Sequence, residues 1–170
     1  TVMCPDANVG DTGEIDGTVY TKRDREELDA LVSGKNWLGV VLTCTSDITD
    51  LSSLLFNSSF AGEVSSWDTS SVTNMSYLFY GAGNYNGDVS NWDTSSVTDM
   101  SGLFAYTGFN GDLSSWDTSS VTNMRRMFES NGSFNSDIST WDVSSVTQMA
   151  EMFKNAGFVQ DISGWCVSNI

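Results

Sequence analysis

Apolar residues follow one arrangement that recurs every 24 or 25 residues through most of the chain. Each complete copy has a tryptophan, a valine five positions later and a methionine three positions after the valine, and an apolar pair and an aromatic residue follow. The change between 24 and 25 comes from the loop between that pair and the aromatic residue. A shared pattern with this period predicts stacked supersecondary units. The tryptophans are Trp67, Trp92, Trp116, Trp141 and Trp165, and a degenerate first copy begins at Ile48.

Two local periods are visible inside one copy. In residues 97–104 the apolar positions have the spacing i, i+3, i+6 and i+7, which predicts a helix of about two turns with one buried face. Ser96 and Asp99 resemble a capping box at its start. Upstream, Asp88–Ser90 alternates polar, apolar and polar, which predicts a half-buried strand. We therefore expect an α/β repeat solenoid of the leucine-rich-repeat type, with one parallel strand and one short helix in each turn.

The first 45 residues do not repeat, and they predict an N-terminal α+β cap. Residues 13–21 are typical of a hairpin with an Asp-Gly turn, residues 24–32 of a helix that ends at Gly34, and residues 37–42 of a strand. Residues 46–170 then form five stacked repeats and a partial last turn, within a single domain. No second cap is apparent, which leaves two alternatives: the chain is a fragment of a longer array, or the uncapped C-terminal turn pairs with another surface, for example by end-to-end self-association.

The repeated phrase identifies a family resemblance. Residues 134–153 run Phe-Asn-Ser-Asp-Ile-Ser-Thr-Trp-Asp-Val-Ser-Ser-Val-Thr-Gln-Met-Ala-Glu-Met-Phe, and this pattern resembles the BspA-like leucine-rich-repeat family of bacterial and protist surface proteins. The resemblance covers about residues 46–170. It implies a solenoid that is displayed on the cell surface or secreted, often with a role in adhesion or in binding host proteins.

The charge balance narrows the range of partners. The chain has 22 acidic residues, 7 basic residues and no histidine, with a formal charge of -15. This charge repels phosphate backbones and anionic lipids, so nucleic acid is not an expected partner. No apolar run approaches the roughly 20 residues that cross a bilayer, so direct membrane insertion is not expected either. Cations and basic protein surfaces remain as candidates.

Three cysteines occupy informative positions. Cys44 and Cys166 both stand where the complete copies have the aspartate after the tryptophan. They are five turns apart, about 24 Å at a strand spacing of ~4.8 Å, which is too far for a disulfide. Cys4 is the natural partner of Cys44, with free thiols as the alternative. Cys166 is then unpaired, or it pairs with a residue outside this chain.

One acidic residue per copy lies on the predicted strand face that is turned away from the core, and stacking would place these carboxylates in a row. Such a row favours bound cations, and Ca²⁺ takes oxygen ligands of this kind. The alternative is structural, since an aspartate in a turn accepts hydrogen bonds from backbone amides. The candidate ligand-binding residues are Glu63, Asp88, Ser90, Asp112, Ser114, Asp137, Ser139 and Asp161, and the candidate calcium ligands are Asp88, Asp112 and Asp137.

No nucleophile–base pair, phosphate-binding glycine loop or metal triad stands out, so we expect a protein that is not an enzyme and that requires no cofactor, with Ca²⁺ as an optional ligand. The sequence favours an extracellular or cell-surface binding or adhesion module that recognises a protein partner through the solenoid surface. Two alternatives remain open: a calcium-dependent glycan-binding module, and a structural spacer of a longer surface protein.

Overall fold

A computed structural model describes all 170 residues of the chain. Regular secondary structure lies entirely in the N-terminal part. Strand β1 (Thr12–Ile15) pairs antiparallel with β2 (Thr18–Lys22), and β2 pairs in parallel with the short strand β3 (Thr43–Cys44). Helices α1 (Arg25–Ser33) and α2 (Trp37–Val41) lie between β2 and β3 in the sequence. Neither helix has the length and the apolar character that a bilayer-spanning segment needs.

The predicted hairpin and the first predicted helix are confirmed. Asp16 and Gly17 have φ values of 50° and 77° at the turn between β1 and β2, the left-handed pair that a two-residue hairpin turn requires. Asp24 caps α1, because its carboxylate accepts a hydrogen bond of 2.9 Å from the Glu27 amide. Gly34 ends the helix, as the sequence indicated.

The predicted strand over residues 37–42 is wrong, because residues 37–41 form α2. Asn36 caps this helix by accepting a hydrogen bond of 3.0 Å from the Gly39 amide. Val40 is fully buried, whereas Leu38 is 69% exposed, so the segment has one buried face only. A short apolar run of this length does not distinguish a strand from a single helical turn.

A disulfide joins Cys4 and Cys44, whose Cα atoms are 6.4 Å apart. This is the predicted pair. Close by, the Val2 amide donates a hydrogen bond of 2.6 Å to the carbonyl oxygen of Ser66. The disulfide joins the first residues of the chain to β3, and the hydrogen bond fastens them to the repeat. Cys166 is a free, exposed thiol.

Successive copies lie side by side and are joined by backbone hydrogen bonds. Asn74 forms isolated parallel bridges with Asp50 in the preceding copy and with Asp99 in the next, and the same bridges continue to residue 148. The predicted strand at Asp88–Ser90 is absent. Instead, a turn forms there in which the Trp92 amide donates to the Val89 carbonyl oxygen, 3.2 Å away. Sheet-like pairing between copies is therefore confined to single residues.

The predicted helix over residues 97–104 is also wrong. The amides of Met100 and Gly102 donate to carbonyl oxygens in the next copy, whereas the Leu103 amide closes a turn onto Met100. An α-helix instead directs its interior amides along its own axis. Gly102 has a φ of 61°, which interrupts right-handed helical geometry. The apolar residues predicted to be buried are buried nevertheless, through tandem turns.

The core is continuous from the N-terminal segment to the last tryptophan and contains 35 buried residues from Leu28 to Trp165. The five repeated tryptophans form a column in which neighbouring ring centroids lie 6.2–6.4 Å apart and the planes are within 6° of parallel. A second column of stacked rings runs beside it, through Phe79, Phe104, Phe128 and Phe153. The division of the chain at residue 45, and the leucine-rich-repeat-like solenoid as its fold class, stay predictions.

Candidate functional site

The acidic residues predicted to bind a ligand are exposed in every copy. None of them forms a salt bridge, because the seven ion pairs of the chain involve other carboxylates. Neighbouring copies meet here, since the Asp88 amide donates a hydrogen bond of 3.1 Å to the Glu63 carboxylate. This acidic row therefore presents uncompensated negative charge to solvent. Its members are Glu63, Asp88, Asp112, Asp137 and Asp161.

Each aspartate of the acidic row closes a turn in its own copy. The amides of Ser90, Ser114 and Ser139 donate hydrogen bonds of 2.9 Å to the carboxylates two residues earlier, and Ser163 does the same for Asp161 at 2.8 Å. The pKa values of the four aspartates lie below the usual range, because hydrogen bonds to the carboxylates favour the charged form. The backbone bonds have the largest effect, and hydrogen bonds from the serine side chains have the next largest. The serines thus serve as turn partners, and one oxygen of each aspartate is occupied.

The calcium prediction for Asp88, Asp112 and Asp137 gains no geometric support. Nowhere in the structure do three or more acidic, cysteine or histidine side chains come together closely enough to hold a metal ion. The site stays a prediction that thermal unfolding with Ca²⁺ and with a chelator can test, since a ligand that binds only the folded state raises the melting temperature.

Four aromatic residues that the sequence analysis did not single out form a cluster on the surface. Phe56 and Tyr80 stack with centroids 4.9 Å apart and planes 6° from parallel. Tyr80 also contacts Tyr77 at 5.7 Å and Tyr106 at 5.1 Å. Phe56 is 46% exposed and Tyr106 is 44% exposed. We call these four residues the aromatic cluster. It spans three copies of the repeat.

The backbone of the copies positions these rings. Tyr77 has a φ of 59° and Tyr106 a φ of 57°, so both project from left-handed turns. The Tyr77 ring lies over Gly102, where an added Cβ would be only 2.6 Å from the ring. Positions equivalent to Tyr77 hold Ser53, Gly102, Arg126 and Glu151 in the other copies. Departures from the repeat, rather than the repeated residues, were the signal that would have revealed the cluster.

The same surface carries a charged quartet in the next two copies. Arg126 and Lys154 each contact both Glu129 and Glu151, at distances of 2.6–3.5 Å. Hydrogen bonds from the two cations lower the pKa of Glu151. The pKa of Tyr80 is raised, mainly because the ring is partly buried and to a smaller extent because Tyr106 and Glu129 lie nearby. The quartet therefore borders the aromatic cluster, and its cations are already paired.

A protein-family model described as "Mycoplasma protein of unknown function, DUF285" matches the chain twice, over residues 35–108 and 89–170. Together the matches cover four fifths of the chain. The chain belongs to the DUF285 family. Residues 89–108 fall in both matches, as a repeating DUF285 sequence allows. Neither a curated protein nor a solved structure matches this DUF285 chain. The family's description assigns no activity or partner to its members.

Proposed function

We propose that the chain is a binding module of a cell-surface or secreted protein, and that its stacked copies form a solenoid that recognises a protein partner. Membership of the DUF285 family and the resemblance of the repeated phrase to BspA-like surface proteins support this location and role. The hydrogen bonds that join successive copies support the solenoid. The absence of enzymatic activity stays a prediction.

The aromatic cluster carries the proposal. Tyrosine is enriched in the energetically dominant parts of protein interfaces, because its ring buries a large apolar area and its hydroxyl still forms hydrogen bonds. Four contiguous surface rings are unusual in this chain, where the other large aromatic residues mostly lie in the core columns. A structural spacer gains nothing from such a surface. An interface gains a rigid contact area with few rotatable bonds.

The charge of the chain indicates the chemistry of the partner. The formal charge is -15, and the acidic row has no compensating cations. Long-range attraction therefore steers basic protein surfaces toward the module and repels acidic ones. Because exposed charges are screened over roughly 10 Å at 0.1 M salt, binding weakens as salt rises. The rings then supply contacts that depend less on salt.

The test is a binding screen by biolayer interferometry against purified extracellular proteins of high and low isoelectric point, at 50 and 300 mM NaCl. We expect a basic protein to bind, with a loss of tenfold or more on combining Tyr80→Ser with Tyr106→Ser. Val159→Ser is the matched control, because Val159 is 81% exposed and lies outside the cluster. No binding to any protein of the panel, or equal binding by the paired tyrosine variant, contradicts the proposal.

A further inference from the structure

A cleft of about 350 Å³ lies where the N-terminal segment meets the first copy of the repeat. Ala7, Val9 and Ile48 contribute apolar surface to its wall. The volume is at the lower end of the range for small-molecule sites. The cleft is separate from the aromatic cluster, whose residues do not line it.

The charges in this cleft are balanced, unlike those of the chain as a whole. Three of the seven basic residues of the protein line it, together with three aspartates, whereas the chain carries a charge of -15. Each nitrogen of two of these cations donates at least one hydrogen bond. The Lys22 ammonium donates to Asp47 and to the carbonyl oxygens of Cys4 and Pro5. Arg25 binds Asp29, the Asp50 carbonyl oxygen and the Ser52 carbonyl oxygen.

Arg23 is the cation of this cleft with the most unused hydrogen-bonding capacity. Its Nη1 donates to the Thr21 carbonyl oxygen at 3.4 Å and to the Thr43 hydroxyl at 3.1 Å, whereas its Nε and Nη2 donate no hydrogen bond. No carboxylate lies within salt-bridge distance of it. A half-buried guanidinium without a carboxylate has a free planar edge that matches a carboxylate in bidentate geometry.

Two carboxylates of the same cleft also have an unused oxygen. Asp24 uses one oxygen to cap α1, and Asp47 uses one to bind Lys22. Neither approaches Arg23 within 4.0 Å. The cleft therefore holds an unmatched cation and unmatched carboxylate oxygens that do not satisfy one another. A ligand that carries both charges satisfies them together.

We propose that this cleft binds a zwitterionic aliphatic α-amino acid. Its carboxylate pairs with Arg23, its ammonium group meets the free oxygens of Asp24 and Asp47, and its side chain contacts the apolar wall. A net charge of zero suits the ligand, because a simple anion is repelled by a chain with a charge of -15. An aliphatic amino acid also fits within about 350 Å³. The site is independent of the proposed function in protein binding.

The test uses L-leucine as the probe, with isothermal titration calorimetry and ¹⁵N–¹H correlation spectra of the whole chain. Leucine is expected to bind in the millimolar range or tighter and to shift the amides of residues 22–25 and 46–50. N-acetyl-leucine lacks the ammonium group and leucinamide lacks the carboxylate, so each is expected to bind at least tenfold more weakly. Arg23→Gln is expected to reduce leucine binding at least tenfold.

The controls separate a specific site from loss of folding. Arg125→Gln removes the other arginine that forms no salt bridge, and it should leave leucine binding unchanged. Arg23→Lys keeps the charge but loses the planar edge, and it should bind leucine with an affinity between the wild type and Arg23→Gln. Spectra of each variant without ligand report whether the fold is intact. The proposal is overturned if leucine leaves the amides of residues 22–25 and 46–50 unshifted at 50 mM, or if N-acetyl-leucine binds as well as leucine.

Discussion

The indole Nε1 of Trp116 donates a hydrogen bond of 3.0 Å to the carbonyl oxygen of Val89, one copy earlier in the chain. Both residues are buried, with exposures of 4% and 1%. The same carbonyl oxygen already accepts the Trp92 amide at 3.2 Å, so the indole takes its second acceptor position. Tryptophan therefore fills the core and also links successive copies. The equivalent bonds run from Trp67, Trp92, Trp141 and Trp165 to the carbonyl oxygens of Val40, Val64, Leu113 and Ile138.

Trp116→Phe keeps an aromatic ring in the column but removes the donor. We expect a loss of about 1–3 kcal/mol in the free energy of unfolding, because the hydrogen bond from the indole is lost and the smaller ring leaves a cavity. Urea unfolding followed by circular dichroism measures the change. Val159→Ala is an exposed control that should alter stability by less than about 0.5 kcal/mol. A comparably small effect of Trp116→Phe contradicts this role for the indole.

Tyr85 occupies the aromatic position that the other copies fill with phenylalanine, and it is fully buried. Its hydroxyl is the one buried side-chain polar atom of the chain without a hydrogen-bond partner. The pKa of Tyr85 is raised well above 10, mainly because the hydroxyl is buried and to a smaller extent because Glu63 and Asp88 lie nearby. Tyr85→Phe should therefore raise the free energy of unfolding by about 1 kcal/mol, since it removes an unsatisfied group.

The reverse substitution provides the control for Tyr85. Phe109→Tyr adds a buried hydroxyl at the equivalent position of the next copy, and it should destabilise the protein by a similar amount. Both variants are compared by urea unfolding at pH 7. Above about pH 10 the wild type should lose stability relative to Tyr85→Phe, because tyrosine ionises in the unfolded chain while Tyr85 remains protonated in the folded state. If the wild type and Tyr85→Phe have the same free energy of unfolding at pH 7, and again at pH 10.5, the interpretation is contradicted.

The sequence was sufficient to predict which residues are buried but not the backbone that buries them. Residues 97–104 have their apolar positions three or four apart, and a helix and a series of tandem turns both bring such positions to one side. The difference lies in Gly102, whose φ of 61° interrupts a helix. The single-sequence pattern does not show that each copy has two left-handed residues four positions apart, because polar and aromatic residues occupy these positions as well as glycine.

The aromatic cluster, unlike the buried core, was not predicted from the sequence. The search for repeated residues found the acidic row, and the structure assigns its aspartates to turns that every copy needs. The proposed interface depends instead on positions where the copies differ, such as Tyr77 and Tyr106. Their exposure depends on left-handed turns, so the periodic pattern did not reveal that the rings lie on the surface.

Gly102→Ala tests the close approach between the backbone and the aromatic cluster. The added Cβ would lie 2.6 Å from the Tyr77 ring, at a residue with a positive φ. We expect a loss of about 1–3 kcal/mol in the free energy of unfolding, from backbone strain and displacement of the ring. Gly83→Ala is the matched control, because an added Cβ there meets no atom within 4 Å and φ is not positive.

A double-mutant cycle separates the two sources of this loss. If the ring contributes, Tyr77→Ser should recover part of the stability lost in Gly102→Ala, and the cycle should give a coupling energy above about 0.5 kcal/mol. Backbone strain alone predicts no coupling. Additive effects of the two substitutions would therefore contradict the packing of Tyr77 over Gly102.

Removal of the disulfide should destabilise the folded chain substantially. Cys4 and Cys44 are separated by 40 residues, and loop-closure entropy for a loop of this size corresponds to about 4 kcal/mol. Replacing both cysteines with serine should lower the free energy of unfolding by about 2–4 kcal/mol in urea. Cys166→Ser, at an exposed free thiol, is the control and should have little effect. A loss below about 1 kcal/mol for the double variant contradicts a stabilising role for the disulfide.

The turn-closing aspartates should make the fold sensitive to acid. Backbone hydrogen bonds lower the pKa of Asp112 in the folded state, so its contribution to stability is present above the unfolded pKa of about 3.9 and is lost as the pH falls through the folded value. Asp112→Asn keeps an oxygen that can accept the Ser114 amide but no longer titrates. It should remain folded at pH 7 and show a smaller fall in melting temperature between about pH 5 and pH 2 than the wild type does.

Asp112→Ala also loses the acceptor and should melt below the wild type at pH 7. Asp6→Asn removes an exposed carboxylate that accepts no hydrogen bond, which controls for the change in net charge, and an acid profile for Asp112→Asn that matches this control would contradict the assignment.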